Sequence, residues 1–499
     1  MSHPVVLSGG RVLDLAARAA PARDVLVIDG KIAAIAAPGE DRPPDAEIVD
    51  VSDRLLMPGL VNAHTHAHGA LAKGLCGDRW PLELLLNANP AFNRGRSVDD
   101  KYLCGLLQAV ELVRRGCTTA FDMFAEFPVP SVEGVHAVAK AYADVGVRAV
   151  LAPMIADRTL YQAVPGLLDA LPDGLREEVA ALRAAPAEAS LAVCEQLYEA
   201  WPFDRAMIRP GVAPTIPLHC SDAFLKRCAE FSLRYDLPLQ THLAESRTQA
   251  VSGPLRYGVS LTRHLANLGV LSPRMSAAHA IWLDREDVVL IADHGASVVH
   301  NPLSNARLGS GVADIRTYRD AGINVGIGTD ATNTSDSLNM FEATRWASYL
   351  SRLRHVELER WVSADEVLAM ATSGSATAIG FGDAIGRLAP GRAADIVFLD
   401  LADITYTPLN DVVRQIIFSE SGAAIAGVMI AGRKVMWDRT IVTIDERRLR
   451  RQAEEAGERL IRSNSEARSL SEALEGYVGT FCVAQSRRIA TCGVCGSTH

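Results

Sequence analysis

From residue 57 to about 350, short β-type runs alternate with longer helical patterns, and this alternation limits the fold more than any other feature of the chain. The runs are "LMPGLVNAH", "CTTAFDM", "VRAVLAP", "IRPGVAP", "LPLQTH", "MSAAHA", "ASVVHN" and "INVGIGTD". Between them lie patterns such as "DDKYLCGLLQAVELVRRG", "EGVHAVAKAYADVG", "SDAFLKRCAEFSLRY" and "DREDVVLIADHG". Several end in glycine just before the next strand, as helix C-termini do. Strands in strict alternation with helices predict a parallel sheet, and eight of them predict a closed (β/α)8 barrel.

The two flanks differ in texture. Residues 1–55 and 386–444 read as short strands and turns, and "VIDGKIAAI" and "MIAGRKVMW" share the form strand, tight glycine turn, strand. The expected protein is α/β: a TIM-type barrel over 57–385 and one small β-sandwich domain made from 1–56 and 386–444. A charged helical extension follows over 445–479 and a flexible tail over 480–499. A length of 499 residues suits one large and one small domain.

A net charge of −9 argues against a nucleic-acid partner. The start "MSHPVVLSGG" lacks a basic segment followed by an apolar one, and no uncharged apolar stretch reaches about 18 residues. Nine cysteines, mostly scattered, read as reduced thiols. Together these predict a cytoplasmic protein with no nucleic-acid or membrane partner.

In such barrels chemistry sits at the C-terminal ends of the strands. Strand one ends in His64-x-His66, and alternate residues of an extended chain point to the same side. Strand five ends in "QTHLAES", with His242 and Glu245. Strand six ends at His279, and strand eight at Asp330. Histidines and an aspartate converging on one mouth suit a divalent transition metal: Zn2+ first, with Fe2+, Mn2+ or Co2+ as alternatives. Such an ion lowers the pKa of a bound water, and Glu245 stands where it can shuttle protons to substrate. His68 lies one step further on and is expected to line or pack the pocket. His219, His264, His294 and His300 have no second ligand near them in sequence and are expected to be structural.

The motifs "PGLVNAHTH", "THLAES", "AAHA", "HNPLSNARLGSG" and "GTDATNTSDSLNMF" stand in an order that resembles the amidohydrolase superfamily over nearly the whole chain. "GRLAPGRAADIVFLD" and the split β domain are similar too. The nearest branch resembles the deaminases and hydrolases acting on adenosine derivatives, guanine and s-triazines. The resemblance implies that His64, His66, His242 and Asp330 bind one metal ion. It implies that Glu245 protonates the ring nitrogen beside the attacked carbon and that His279 orients the attacking hydroxide. Asp330 would also take the proton of the attacking water and pass it to the leaving group. The implied reaction is attack of metal-bound hydroxide on a C=N carbon of an amino-substituted N-heterocycle, releasing ammonia. A homo-oligomer is implied as well. In the two-metal branch a carboxylated lysine ends strand three or four. Here the six lysines are Lys31, Lys73, Lys101, Lys140, Lys226 and Lys434, none at such an end, so a single metal is expected.

Two departures concern the substrate. Adenosine-type relatives carry a histidine where this chain has Thr215 in "APTIPLH". They also carry a Trp-Pro-x-Glu glutamate for ribose, and the matching stretch here, "LLLNANPAFNRGRS", has none. The pocket is therefore expected to differ, with Trp80, Glu83, Asn87, Asp122, Phe124, Glu126, Asp157, Arg158, Thr215, His219, Asn301, Ser304 and Asn305 as wall candidates. The rival reading keeps the metal site but hydrolyses an amide, urea, carbamate or C–Cl bond. A non-catalytic scaffold is disfavoured, because every ligand position, Glu245 and His279 are present. Near the end, Cys492-x-x-Cys495 has zinc-knuckle spacing, with Cys482 and His499 as further donors. A second close pair is missing, so a metal-free tail is expected.

Overall fold

The computed structural model describes residues 3–40 and 42–488. The eight barrel positions are filled in chain order by Leu60–Thr65, Cys117–Ala125, Arg148–Ile155, a split fourth strand, Leu239–Leu243, Met275–His279, Ser297–His300 and Val325–Ile327. Neighbours pair in parallel register. Two seams close the ring. Val212 bridges to Leu239 in parallel, and the Asp330 N–H donates to the His64 carbonyl at 2.9 Å. The chain is thus mixed α/β with a TIM-type barrel. The fourth strand breaks into Ile208–Pro210 and Ala213–Pro214. Pro210 has no N–H to offer a ladder. Gly211 passes so near strand three that a Cβ there would lie 2.8 Å from a Val150 methyl.

The helices begin where short polar side chains can cap free N–H groups. Ser97, Ser131, Ser221 and Asp284 accept from the backbone of Val98–Arg114, Val132–Val145, Asp222–Arg234 and Arg285–Asp293 in turn. Gly146, with φ 91°, ends the second of these in the left-handed conformation glycine tolerates. Strands and helices share one large apolar core. Alternate strand positions, such as Val61 with Ala63 and Phe121 with Met123, build a second cluster with Ile379, Phe381 and Ile385.

Both chain ends contribute to one nine-stranded sheet. Its order is Thr440–Ile441, Arg433–Trp437, Ile425–Ile430, Ile396–Asp400, Arg54–Pro58, Val5–Val12, Ala22–Ile28 and Lys31–Ala36, with Glu47–Asp50 beside Val5–Val12. Arg54–Pro58 passes through Gly59 directly into the first barrel strand. Arg148, at the start of barrel strand three, donates two hydrogen bonds to Asp395, at 3.1 and 3.2 Å, with both side chains buried. Replacing Arg148 by Ala leaves the Asp395 carboxylate buried without its cation, holding only the Ala431 N–H. The expected loss is about 3–5 kcal/mol of stability, measured by urea unfolding. A loss below about 1 kcal/mol would contradict the coupling of sheet and barrel through this pair.

Three features depart from the expected pattern. Residues 160–199, between strands three and four, fold into four short helices that sequence periodicity did not mark. The extension is two helices, Glu446–Ser463 and Ser465–Ser486, that meet at Asn464. The second helix runs past residue 479, where a tail was expected. Its stripe Leu474, Val478 and Cys482, spaced by four, is buried against Leu84, Tyr161 and Val164. Cys482 is thus a packing residue of a helix. Cys492, Cys495 and His499 lie outside the described residues. Among the described residues, no helix is long and apolar enough to cross a membrane, and seven cysteines are free.

Candidate metal centre

The strand ends bring His64, His66, His242, His279 and Asp330 together. The ligand atoms of His64, His66 and His242 lie within 4.8 Å of one another, and so do those of His64, His279 and Asp330. All five side chains are buried, as is Glu245. Asp330 Oδ1 is 3.1 Å from His66 Nε2 and 3.6 Å from His64 Nε2. His279 Nε2 is 3.7 Å from Glu245 Oε1 and 3.9 Å from Asp330 Oδ2.

Each imidazole is held from behind by an acceptor on its Nδ1. His64 donates to Gln240 Oε1 at 2.7 Å, and His66 to the Met123 carbonyl at 2.7 Å. His242 donates to the Thr215 carbonyl at 2.5 Å, and His279 to Asn305 Oδ1 at 2.8 Å. Gln240 Nε2 donates to the Ala63 carbonyl and the Ser276 hydroxyl, so its Oε1 must face His64. With Nδ1 carrying the hydrogen, every Nε2 turns a lone pair to the centre. The Nε2 atoms of His64 and His279 have no hydrogen-bond partner. Those of His66 and His242 stand 3.2 Å apart. Two lone pairs that close repel unless positive charge lies between them. Zn–N bonds of about 2.0–2.1 Å put neighbouring tetrahedral ligands about 3.3 Å apart. The donor set therefore fits a divalent metal ion.

Burial alone would raise the Asp330 carboxyl, yet the adjoining His64 and His66 side chains hold it well below its ordinary range. Burial pulls the His66 imidazolium down, but Asp330 outweighs this and the net shift is upward. His242 is driven well down by burial and by the neighbouring histidines. The Glu245 carboxyl is driven well up, first by burial and then by the charges of Asp330 and Glu83. Backbone strain gathers here as well. Ala244 (φ 47°), His279 (φ 68°), Ala280 (φ 47°) and Asp330 (φ 62°) are left-handed without being glycine, at about 1–3 kcal/mol each.

His68 is set the other way round. Its Nδ1 accepts from the Ala125 N–H at 3.1 Å, so its hydrogen sits on Nε2. It packs edge-on to Phe124. His219 is buried, and burial pushes it down to about 4.

Most expected wall residues prove to be holding other groups. Ser304 donates to Asp330 Oδ2 at 2.6 Å, and Asn305 holds His279. Asp122 accepts from the Ala67 N–H and the Tyr142 hydroxyl, which fixes the turn after His66. Glu126 pairs with Lys101 and Ser131. Asp157 accepts from the Ser221 N–H, and Arg158 donates to the Cys220 carbonyl. Thr215 supports His242 through its backbone oxygen. Asn301 is fully buried with neither amide atom hydrogen-bonded. Glu83 and Asn87 lie within the helix Leu82–Asn93, and Trp80 stands in the loop two residues before it. Trp80-Pro81-Leu82-Glu83 itself spells Trp-Pro-x-Glu, ahead of the stretch compared above, and Glu83 is buried beside Ser246. Sequence reasoning missed Gln240 and Asn62. Asn62 holds Thr329, two residues before His64 as Gln240 is two before His242. The signal was a polar residue at the strand position preceding His64 and His242 by two.

A model of the amidohydrolase family matches residues 55–435. A 5-methylthioadenosine/S-adenosylhomocysteine deaminase of Syntrophobacter fumaroxidans is 31% identical over 424 residues, 84% of this chain and 90% of that one. An adenosine deaminase from Xanthomonas campestris with bound zinc superposes with a TM-score of 0.80 at 27% identity, covering 91% of this chain and 98% of its own. An atrazine chlorohydrolase from Arthrobacter aurescens TC1 complexed with zinc gives 0.79 at 26% identity, covering 92% and 100%.

Proposed function

We propose that this chain, which belongs to the amidohydrolase family and is a metal-dependent hydrolase of carbon–nitrogen bonds, deaminates an amino-substituted N-heterocycle at a mononuclear site. His64, His66, His242 and Asp330 would hold one divalent ion, with zinc favoured by the zinc in the two solved neighbours. The observation that carries the reading is the inward convergence of unpartnered imidazole lone pairs on a carboxylate, beside a buried glutamic acid.

Bound there, such an ion supplies Lewis acidity and brings a water towards neutral pKa. The rest falls to the chain. Glu245, kept protonated by burial, donates its proton to the ring nitrogen next to the attacked carbon. His279, fixed by Asn305, orients the attacking oxygen through Nε2. Asp330, fixed by Ser304 and the Ala331 N–H, takes one proton of the attacking water and delivers it to the departing amine, and the second water proton returns Glu245 to its acid form. The C–N bond then breaks and ammonia leaves.

The proposal keeps a homo-oligomer working in the cytoplasm on a small molecule. It also keeps the barrel over 57–385 and the split β domain over 1–56 and 386–444, with the nine-stranded sheet folded as a small sandwich over Leu7, Val25, Ile32, Phe398 and Met429.

The test is ammonia release by metal-loaded protein over aminopurines and their nucleosides, pterins, pyrimidines and triazines. Purines lead because the Syntrophobacter and Xanthomonas relatives are adenosine-type deaminases by name. Thr215 in place of a histidine predicts that the best substrate is not adenosine itself. Ammonia from one ring class is the expected result. Silence across the panel, with chloride release from a chlorotriazine, would overturn deamination in favour of C–Cl hydrolysis on the same residues.

A further inference from the structure

The helix Met340–Arg354, which follows barrel strand eight, turns an apolar stripe outward. Trp346, Tyr349 and Leu353 stand three and four residues apart, and Val356 follows three residues on, just past the helix end. All four are exposed, Leu353 to 81%. The opposite face of the same helix, with Phe341, Ala347 and Leu350, is buried in the molecule. Apolar residues spaced three and four apart on an outer face form a seam suited to a second helix.

The surroundings have the composition of a protein contact. Tyr349 stacks on Phe418 with ring centres 5.7 Å apart. The Arg352 guanidinium lies over the rings of Tyr349, Trp361 and Phe418, at 5.4, 5.4 and 5.2 Å. Trp, Tyr and Arg are the residues that anchor protein interfaces. Opposite charges mark the two ends of the stripe. Glu342 stands one turn before Trp346 and forms no ion pair among the described residues. Arg354 stands at the other end, and its carboxylate partner, Asp314, is 3.9 Å away. Positions 342 and 354 lie about 18 Å apart along the helix. Their midpoint is residue 348, between Trp346 and Tyr349.

We propose that this stripe is the face on which two copies of the chain pair, with the two helices antiparallel about a two-fold axis. That axis sets each Glu342 against the partner's Arg354 and each Trp346 against the partner's Tyr349. A two-fold contact uses one patch twice and must be self-complementary. A stripe with an acid at one end and a base at the other meets that condition, and the charge pair forms twice in each dimer. This deepens the homo-oligomer kept above, and rests on it, by naming its face.

The experiment compares the full-length parent with Leu353→Asp, Glu342→Arg, Arg354→Glu and the double charge reversal, by sedimentation velocity and light scattering over a range of concentrations. The parent is expected at the mass of two chains or an even multiple. Leu353→Asp changes a side chain exposed in the single chain, so it is expected to halve that mass with an unchanged far-ultraviolet circular dichroism spectrum. Glu342→Arg and Arg354→Glu are each expected to raise the dimer Kd by about tenfold, and the two together to return it to within about threefold of the parent. A parent with an odd number of chains overturns the two-fold contact, and a parent of one chain overturns the oligomer as well. An assembly indifferent to Leu353→Asp keeps the oligomer and overturns this face. A double reversal that stays as weak as the single ones overturns the antiparallel pairing.

Discussion

Glu245→Gln is expected to keep one metal ion per chain and lose about 10²- to 10⁴-fold in kcat. Glutamine fills the same buried volume, so the surroundings have no reason to rearrange. What disappears is the acidic proton. Glu245 stands 3.7 Å from His279 Nε2, close enough to serve a substrate held at the centre yet outside the proposed ligand set. Burial and the charges of Asp330 and Glu83 all favour its protonated form, the form a general acid needs before it acts. Metal analysis beside steady-state kinetics checks both halves. A variant within about threefold of the parent would remove Glu245 from the proton path.

His242→Ala is expected to act the other way round, by emptying the site. His242 is locked by its bond to the Thr215 carbonyl and faces His66 across 3.2 Å. Its removal takes one nitrogen donor of three from the proposed set and opens a gap that water can enter. Metal content should fall from about one to below about 0.1 per chain after dialysis against a weak chelator, and activity should fall with it. A bound metal also stabilises the folded chain. The parent's melting temperature should therefore drop on chelation, while that of His242→Ala should not respond. A variant that keeps its full metal complement would exclude His242 as a ligand.

How far the sequence carried this picture depended on distance along the chain. The barrel was legible because each strand and its capped helix are local patterns. His64 and His66 share a side for the elementary reason that strand residues alternate. His242, Glu245, His279 and Asp330 could be collected because a barrel gathers its strand ends at one mouth. The fourth strand splits at Pro210 and Gly211, where the run "IRPGVAP" reads as one continuous strand. Orientation was not legible. Ser304 and Asn305 looked like readers of a heterocycle, yet their side chains turn to Asp330 and His279, and nothing in residue order sets that rotamer. Gln240 and Asn62 passed as ordinary strand residues, because a polar side chain inside a strand signals a role only once its partner is known. The hydrogen bond from Asn87 to the Ser471 carbonyl spans 384 residues, and no local pattern reports a contact of that range.

The central claim is one metal ion, held by residues of this chain and used for hydrolysis. The most direct measurement is the metal-to-protein ratio of purified full-length protein by inductively coupled plasma mass spectrometry, after dialysis against a weak chelator. The account predicts about one divalent ion per chain, zinc foremost. Two tightly held ions per chain would contradict the mononuclear site read from the missing lysine. None, in a protein that still hydrolyses its substrate, would contradict the metal centre itself.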